Sequence, residues 1–527
     1  MGRFSSMCAE FMNTSVCTIV EVPCSVTKKL TLVKLFGVIK KKCNVLLLVS
    51  RFFFFFASLL PALLLFSFLP FSTDLVTQGY LSVSSVYSYI AHLKVLTTVN
   101  INVLSSISVS CTFLVDELSV MFTLMSVLVV SFMFLTIEFL FSNKGVLLLT
   151  LLLLLEFAII GVFLAHDFLS FFFFFEATLL PMFCIILFNG SGQNTTKAAY
   201  WLAMFTLLSS IFFIVPVLWL YYLAGTLNFT EVQEYFSQNT TKAEAVAGIL
   251  CFSFFLSFAI KVPIMPLHIW LPEVHVEAPT PGSMILASLL LKLGGYGLIR
   301  ICLGIFPTSF NYILTTVSPF FLLSLIISAL IAVIQTDTKK IIAYSSISHM
   351  AVALLGLTAF NGTGYLGAIV CMFAHSLTAP ALFFLIGCLY DRYHSRNVLY
   401  FGGLSRLMPI FTSLLFIFIL SNISFPGFLN FIGELQVIYG FISLDTWSWV
   451  VSLSLLAGIV AVTSYNFTLI ARLCWGNVKS AVIAGYTDLL PLEFIFLSGL
   501  GCLLIIFGIS PQIILYIADS TYVLSFL

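Results

Sequence analysis

The sequence predicts an all-α, polytopic membrane protein with about 13 transmembrane helices. Of its 527 residues, 61% are hydrophobic and only 8% are charged, against roughly a quarter charged in soluble domains. Crossing a hydrocarbon core of about 30 Å takes about 20 apolar residues, and runs such as VLLLTLLLLLEFAIIGVFLA are apolar on every side. This composition excludes a soluble enzyme, and the lack of alternating segments of about ten residues excludes a transmembrane β-barrel.

The predicted spans are the apolar runs bounded by charged residues, Pro, Gly or Asn. They cover residues 45–70, 115–140, 144–165, 167–188, 199–222, 245–268, 281–303, 313–334, 342–360, 363–390, 409–440, 447–474 and 491–517. The polar stretches between them are too short for a large extramembrane domain. We divide the chain into a basic N-terminal tail (1–44), a first helix with an outer loop (45–114), a membrane core (115–474) and a C-terminal helix with its tail (475–527).

Lysine and arginine are strongly biased to one side of this predicted topology. Seventeen of them fall on one side, and three, Lys94, Lys242 and Arg300, fall on the other. Loops rich in these residues stay on the side where a membrane protein is made. We therefore expect the N-terminus inside and the C-terminus outside. Glu10 and Glu21 make residues 1–44 a poor transit peptide, so this segment is interpreted as an inside tail.

Motifs for cofactors and nucleic acid are missing from the sequence. The twelve cysteines are scattered, without C-x-x-C or a Cys/His spacing that suits iron–sulfur, haem or zinc sites. Nucleotide-binding glycine motifs are also missing. The net charge of +1 gives no basic field for nucleic acid. We predict no cofactor on this chain and no nucleic-acid partner, so a driving reaction would take place elsewhere.

Seven ionisable residues fall within the predicted spans, where each one costs roughly 2.5 to 3.5 kcal/mol on the insertion scale. They are Glu156, Glu176, Lys261, Lys292, His349, His375 and Glu434. Such residues usually mark an ion or proton pathway, although each could instead form a salt bridge or hydrogen bond that only fixes helix packing. Most lie near the centres of their spans, as a lateral relay of protons requires. Glu156 is left open between packing and a proton uptake path.

Two of the spans are interrupted by helix-breaking residues. Pro263 and Pro266 follow Lys261 in KVPIMP, and Pro426 and Gly427 precede Glu434 in SFPGFLNFIGE. Proline removes a helical hydrogen bond, which hydrocarbon cannot replace. Broken helices at matching positions of two halves indicate an inverted-repeat transporter with an ion site at mid-membrane.

The charges suggest how protons could move. Glu176 and Lys261 could form either a static ion pair or a separable pair, in which moving one partner shifts both pKa values. Lys292 has no obvious carboxylate partner in the sequence. Histidine is the side chain that commonly exchanges protons near neutral pH, so His349 could pass a proton onward. The segment HIWLPEVHVEAPTPG is expected to be a loop. We expect its His268, Glu273, His275 and Glu277 to form loop hydrogen bonds and not to bind metal.

The run AIKVPIMPLHIWLPEVHVEAPTPGSMILASLLLKLGGYGLIRI (259–301) closely resembles the signature of the antiporter-like membrane subunits of proton-pumping NADH:quinone oxidoreductase, respiratory complex I. FFFFFEATLLPMF, KKIIAYSSISHMAVALLG, MFAHSLTAPALFFLIGCLYDRYHSR and FPGFLNFIGELQVIYG resemble the same family in the same order. The resemblance covers about residues 112 to 516. The glutamate in FIGE and the YSSISHM run are typical of the middle one of the three such subunits.

The resemblance implies a fold and a set of roles. The fold would consist of two inverted five-helix repeats with broken helices. Glu176 and Lys261 would form the mid-membrane ion pair, Lys292 would be the central proton carrier, His349 the connecting histidine and Glu434 the residue of the outer half-channel. His375 matches a family histidine, and the resemblance assigns no role to Glu156. The family usually has fourteen helices, and the first of them lacks a convincing counterpart in residues 1–44.

The resemblance also implies partners and a location. NADH, FMN, iron–sulfur clusters and ubiquinone would be bound elsewhere in the complex. Partners would be other membrane-arm subunits, including the sister antiporter-like subunits, and lipids. Together with the abundance of phenylalanine, 57 residues, the resemblance favours the mitochondrial inner membrane, with the N-terminus on the matrix side and the C-terminus on the intermembrane-space side.

Three other functions remain open at this point. The chain could belong to a sodium/proton antiporter or to a hydrogenase-linked membrane complex, which would share the same helices and charges. The glutamate in FIGE weighs against the antiporter. The chain could also be a structural membrane subunit whose charges only hold helices together, although the shared depth of these charges disfavours that reading.

Overall fold

The structure, a computed structural model, describes residues 95–104, 107–136, 143–238, 240–443, 448–479 and 487–518. The predicted tail at 1–44 and the first predicted span at 45–70 lie outside these residues. Both therefore stay predictions, as does the lack of a counterpart to the family's first helix.

The other twelve predicted spans are helical. The helices are α1 (Glu117–Thr136), α2 (Asn143–Leu164), α3 (Phe168–Ala177), α4 (Leu179–Asn189), α5 (Thr195–Ala224), α6 (Phe229–Gln238), α7 (Thr240–Lys261), α8 (Trp270–Glu277), α9 (Thr280–Leu303), α10 (Pro307–Ile334), α11 (Thr338–Thr358), α12 (Gly362–Tyr393), α13 (Pro409–Asn422), α14 (Leu429–Ile442), α15 (Ser448–Cys474) and α16 (Pro491–Ile509). Short helical turns occur at Val398–Tyr400 and Leu404–Leu407, and residues 512–518 are also helical. By length and composition, ten helices in the described part of the chain can cross a membrane, and three shorter apolar ones accompany them. The prediction of a polytopic helical membrane protein is confirmed.

The predicted outer loop contains a β-hairpin, which the all-α prediction missed. Strand β1 (Val95–Leu104) pairs antiparallel with β2 (Ile107–Leu114), with Val99 opposite Cys111. The sequences VLTTVNINVL and ISVSCTFL are rich in β-branched residues, which favour strands. A search for long apolar runs detects helical spans and passes over such short segments. The all-α prediction therefore holds for the spans but not for this hairpin.

The spans form two consecutive sets of five. The first set is α2, α3–α4, α5, α7 and α9, and the second is α10, α11, α12, α13–α14 and α15. In each set the fourth span is interrupted: α7 ends at Lys261 before α8, and α13 ends at Asn422 before α14. Because five is an odd number, the second set starts on the opposite side of a membrane from the first. This arrangement confirms the predicted inverted five-helix repeats.

The first interruption leads into a short helix where the sequence predicted a loop. Residues 262–269 form turns, and α8 follows with Pro272 in its first turn, where proline is tolerated. Trp270 Nε1 donates a hydrogen bond to the Ile260 carbonyl at 3.1 Å. Carbonyls at the C-terminal end of a helix have no partner within the helix. Trp270 therefore supplies a hydrogen-bond donor to a carbonyl at the end of α7.

The core lies around three helices. In their apolar windows, 89% of the residues of α9, 94% of α11 and 100% of α12 are buried, against 33% in both α5 and α10. The peripheral helices expose large apolar side chains such as Leu218 and Tyr312. A charge carried by α9, α11 or α12 is therefore surrounded by protein and not by lipid.

Candidate functional site

The centre of the site is a contact between Lys292 and His375. Lys292 Nζ lies 2.7 Å from His375 Nδ1 and donates a hydrogen bond to the Ala287 carbonyl at 2.6 Å. The side chains are 1% and 2% exposed. Ala287 belongs to the first of two π-helical segments that flank Lys292 in α9, Leu286–Leu290 and Leu298–Leu303. Such wide turns are frequent at functional sites.

The contacts continue from His375 to Glu434. The rings of His375 and His349 have centroids 5.6 Å apart, and His349 Nδ1 lies 3.4 Å from Glu434 Oε1. His349 Nε2 is buried without a hydrogen-bond partner among the described residues. The structure thus brings four of the predicted residues into one buried row, Lys292, His375, His349 and Glu434, which we name the central chain.

Close packing of α12 against α14 positions the far end of the central chain. A Cβ atom added to Gly367 would lie 2.7 Å from the Val437 backbone nitrogen, and one added to Gly433 would lie 2.9 Å from the Cys371 nitrogen. Small residues allow such close approach of helix backbones. Gly433 directly precedes Glu434, so this packing sets how near the carboxylate comes to the histidines.

Glu176 and Lys261 lie near each other without forming an ion pair. In the described part of the chain, no salt bridge within 4.0 Å joins them. Lys261 Nζ lies instead 4.3 Å from the centroid of the Phe175 ring, and Glu176 Oε1 is buried without a hydrogen-bond partner. The two residues therefore form no ion pair in this structure, and a separable pair stays a prediction. A Cβ atom on Gly294 would lie 3.2 Å from Lys261 Cβ, so Lys261 packs against the helix that carries Lys292.

Glu156 stands apart from the central chain. It is 4% exposed in the middle of α2, and its Oε1 has no hydrogen-bond partner among the described residues. No contact joins it to another predicted site residue in this part of the chain. Its role, whether packing or proton uptake, stays a prediction.

In the segment 268–277, the two glutamates form the predicted polar contacts, whereas His275 does not. Glu273 pairs with Lys340 at 3.2 Å, and Glu277 accepts a hydrogen bond from the Asn194 backbone at 3.2 Å. His275 is fully buried and stacks on Phe383 with centroids 4.4 Å apart, but neither ring nitrogen has a hydrogen-bond partner among the described residues. The prediction of a hydrogen-bonding His275 in a loop was therefore wrong, because this segment is a buried helix.

Burial of His275 determines the protonation state of its ring. It lowers the pKa of His275 to about 3, and the positive charges of Lys339 and Lys292 add to the effect. His275 is therefore neutral near pH 7. His268 lies in the turn before α8, and its Nδ1 has no hydrogen-bond partner in the described structure.

A polar cluster that sequence reasoning missed lies on the same helix as Lys292. Arg300 forms a salt bridge with Asp116, and its Nε donates to the Tyr296 hydroxyl at 3.1 Å. The Tyr296 hydroxyl donates to the Phe163 carbonyl at 2.8 Å. Lys292, Tyr296 and Arg300 recur every four residues, which places them along one helix face. That spacing was readable from the sequence, but the partner Asp116 was not, because it lies far away in the chain.

The fold and the central chain define a class of protein: a membrane protein of two inverted repeats that carries buried, titratable residues in a row. A model of the family described as NADH:quinone oxidoreductase/Mrp antiporter, TM, matches residues 165–460, more than half of the chain. The chain belongs to this family of antiporter-like membrane subunits.

Within the family, the chain is similar to NADH-ubiquinone oxidoreductase chain 4 and to its bacterial counterpart. It is 38% identical to chain 4 of Chondrus crispus over 369 residues, covering 68% of this chain and 72% of the relative. It is 41% identical to chain 4 of Arabidopsis thaliana over 352 residues, covering 66% and 68%. It is 35% identical to NADH-quinone oxidoreductase subunit M of Rhodobacter capsulatus over 370 residues, covering 69% and 72%. The resemblance seen in the sequence is confirmed.

Solved structures agree on the fold. A chain of respiratory complex I from Thermus thermophilus matches with a TM-score of 0.75 and 26% identity, covering 91% of this chain and 97% of that one. A chain of the Mrp complex from Dietzia sp. matches with a TM-score of 0.70 and 20% identity, covering 82% and 47%. The second match shows a shared fold alone.

Proposed function

We propose that this chain translocates protons as a membrane-arm subunit of NADH:ubiquinone oxidoreductase. The observation that carries this proposal is the central chain: Lys292, His375 and His349 lie in the three most buried helices, and buried Glu434 of α14 contacts His349. Buried ionisable residues in a row are the usual machinery of a proton relay. Similarity to chain 4 and subunit M supports the choice of complex.

The contacts suggest how a proton passes along the central chain. The Lys292 ammonium donates to His375 Nδ1 when that nitrogen is unprotonated. No hydrogen bond joins the two imidazole rings in the described structure, where their centroids are 5.6 Å apart and His349 Nε2 has no partner, so a bridging water completes this step. His349 then exchanges the proton with Glu434. His375 is thus the link between the central lysine and the connecting histidine.

Glu176 and Lys261 act in this proposal as a separable pair that controls Lys292. At 4 Å, opposite charges attract by about 4 kcal/mol at an effective dielectric constant of 20. When Glu176 approaches Lys261, the charge on Lys261 is stabilised; when it withdraws, that charge becomes costly and repels a proton on neighbouring Lys292. The position of Lys261 Nζ over the Phe175 ring, with Glu176 Oε1 left without a hydrogen-bond partner, supports a pair that can separate.

A driver outside the chain is part of the proposal. Moving one elementary charge against 100 mV takes about 2.3 kcal/mol, and we infer that quinone reduction in the same complex supplies it. NADH, FMN, iron–sulfur clusters and ubiquinone would be bound by other subunits. The sister antiporter-like subunits and lipids would surround this chain.

The proposed location is the mitochondrial inner membrane, with the N-terminus in the matrix and the C-terminus in the intermembrane space. The family and its chain 4 relatives support a multi-pass protein of that membrane. The orientation rests on the bias of lysine and arginine to one side.

The test is a Lys292→Met variant of the assembled complex in vesicles. We expect the rate of proton pumping to fall about tenfold or more, because a positioned proton carrier is worth at least that factor. The matched control is Lys197→Met, which removes the same charge from an exposed position. Full pumping by an intact Lys292→Met complex would favour a purely structural subunit. Pumping that depends on sodium would favour the antiporter alternative.

A further inference from the structure

A second buried polar cluster lies beside the central chain and consists of uncharged residues. Asn422 Nδ2 donates a hydrogen bond to Asn466 Oδ1 at 3.0 Å, and Asn466 Nδ2 donates to the Val462 carbonyl at 3.0 Å. Both asparagines are 2% exposed, and neighbouring Tyr465 is 1% exposed. The cluster joins the end of α13, where the second broken helix is interrupted, to α15.

Several polar atoms of this cluster have no hydrogen-bond partner among the described residues. The Tyr465 hydroxyl faces the side chains of Ser345, Ser348, Asn422 and Asn466, yet it forms no hydrogen bond of normal geometry with any described residue. The same holds for Ser421 Oγ, next to Asn422, and for Ser424 Oγ in the interruption. A buried polar group without a partner costs about 1–3 kcal/mol. Buried water commonly satisfies such groups, with about three hydrogen bonds each.

The serines of α11 connect this cluster to His349. Ser345 Oγ donates to the Ile342 carbonyl and Ser348 Oγ to the Ser345 carbonyl, both at 2.7 Å, so their oxygen lone pairs remain free to accept from water. Ser345 precedes His349 by one helical turn, about 6 Å. His349 Nδ1 is taken by Glu434, whereas Nε2 is buried and lacks a partner. His349 therefore has one ring nitrogen on the central chain and one available to water.

The cluster lies between His349 and one end of the bundle. That end is marked by contacts between the start of α11, the segment after α12 and the end of α15: Thr338 N donates to the Arg396 carbonyl, and Gly403 N donates to the Trp475 carbonyl. It carries Lys339, Lys340 and Arg472, and we name it the basic end. Ser345 and Tyr465 both lie between the basic end and the middle of their helices.

We propose that Tyr465, Asn422 and Asn466 hold a water chain through which His349 exchanges protons with the basic end, separately from Lys292. The second repeat then has its own proton connection on that side. His349 becomes a branch point, at which a proton arriving from the water chain or from His375 is passed to Glu434. Tyr465 acts as a positioning residue, because its hydroxyl orients water and does not itself change charge. This inference rests on the proposed proton translocation and deepens it.

The test compares Tyr465→Phe with Lys292→Met in the assembled complex in vesicles. Phenylalanine keeps the packing of the ring and removes only the hydroxyl. We expect proton pumping to fall about tenfold, the factor that corresponds to one lost hydrogen bond in the path, while the complex assembles normally. The matched control is Tyr439→Phe on α14, where the ring is 58% exposed and pumping should not change.

The outcomes separate this inference from the proposed function. Normal pumping by Tyr465→Phe with impaired pumping by Lys292→Met overturns the water chain and leaves the central chain intact. Normal pumping by both variants overturns the proposed function as well. Failure of Tyr465→Phe to assemble assigns the hydroxyl to packing and overturns the water chain. A map of the complex that shows ordered water should place density between Tyr465 Oη and His349 Nε2; a dry, tightly packed gap there contradicts the proposal.

Discussion

His375 is the residue whose importance is clearest from its contacts. Its Nδ1 lies 2.7 Å from Lys292 Nζ, and its ring centroid lies 5.6 Å from that of His349. The two histidines lie 26 positions apart on different helices, so the sequence could suggest that both are intramembrane but not that they are adjacent. These contacts therefore support a role for His375 in the middle of the proposed relay, which the sequence alone did not assign.

Replacing His375 with Gln tests this position directly. An amide oxygen can still accept a hydrogen bond from Lys292, but an amide does not carry a proton at neutral pH. We expect the complex to assemble and proton pumping to fall about a hundredfold, the lower end of the effect of a general acid–base group. The control is His394→Asn, at an exposed position whose positive φ of 50° asparagine also tolerates. An unchanged rate of proton pumping by the assembled variant would show that the relay bypasses His375.

The close packing of helices α12 and α14 can be tested by enlarging Gly367. In Gly367→Ala, the new Cβ would meet the Val437 backbone at 2.7 Å, so the two helices must move apart. We expect less assembled complex and slower proton pumping, because Glu434 moves away from His349. Native-gel band intensity and pumping in vesicles measure the two effects.

Gly248→Ala is the matched control for this change. Nothing lies within 4 Å of a Cβ atom at Gly248 in α7. Alanine there should stabilise the helix by up to about 1 kcal/mol and leave pumping unchanged. Equal behaviour of the two glycine variants would show that the close packing of α12 and α14 does not position the site.

Buried His275 on helix α8 should lower the stability of the folded protein at acidic pH. Its pKa is lowered to about 3 in the folded protein, whereas an unfolded histidine titrates near 6.5. Below about pH 6.5 the unfolded chain binds a proton that the folded chain does not, so stability falls by up to about 1.4 kcal/mol per pH unit until the folded pKa is reached. Above pH 6.5 this contribution is constant.

Substituting His275 with Phe removes this titration and keeps an aromatic ring against Phe383. We expect the thermal stability of the variant complex to decline less steeply than that of the parent between pH 6.5 and pH 5, as scanning calorimetry would measure. The exposed-site variant His394→Asn should retain the parent slope. Parallel slopes for the parent and His275→Phe would mean that His275 is not buried in its neutral form.

The sequence predicts where helices are interrupted, but it does not predict which side chains of distant helices come into contact. Pro263 and Pro266, and Pro426 with Gly427, locate both interrupted helices because a helix break depends on nearby residues. The distance between Glu176 and Lys261, the stacking of His275 on Phe383 and the bridge from Arg300 to Asp116 depend on packing between helices distant in sequence. The hairpin at Val95–Leu114 was missed because its alternating, β-branched residues lack the length of a span.

The two repeats also differ in a way that only the assembled fold shows. In the described structure, the first repeat places Lys261 against an aromatic ring, whereas the second places Glu434 against a histidine. The matching breaks therefore carry a basic residue in one repeat and an acidic residue in the other, beside different partners. The two repeats therefore differ in their ionisable groups, with lysines in the first and a carboxylate beside a histidine in the second.

Co-migration of this chain with NADH oxidation tests most directly whether the proton relay belongs to a redox-driven complex. Mildly solubilised source membranes are separated on a native gel, stained for NADH-dependent dye reduction and analysed for this chain by mass spectrometry. We expect the chain in a very large band that oxidises NADH. Its presence only in bands without that activity would contradict the redox-driven assignment and would direct attention to sodium/proton exchange.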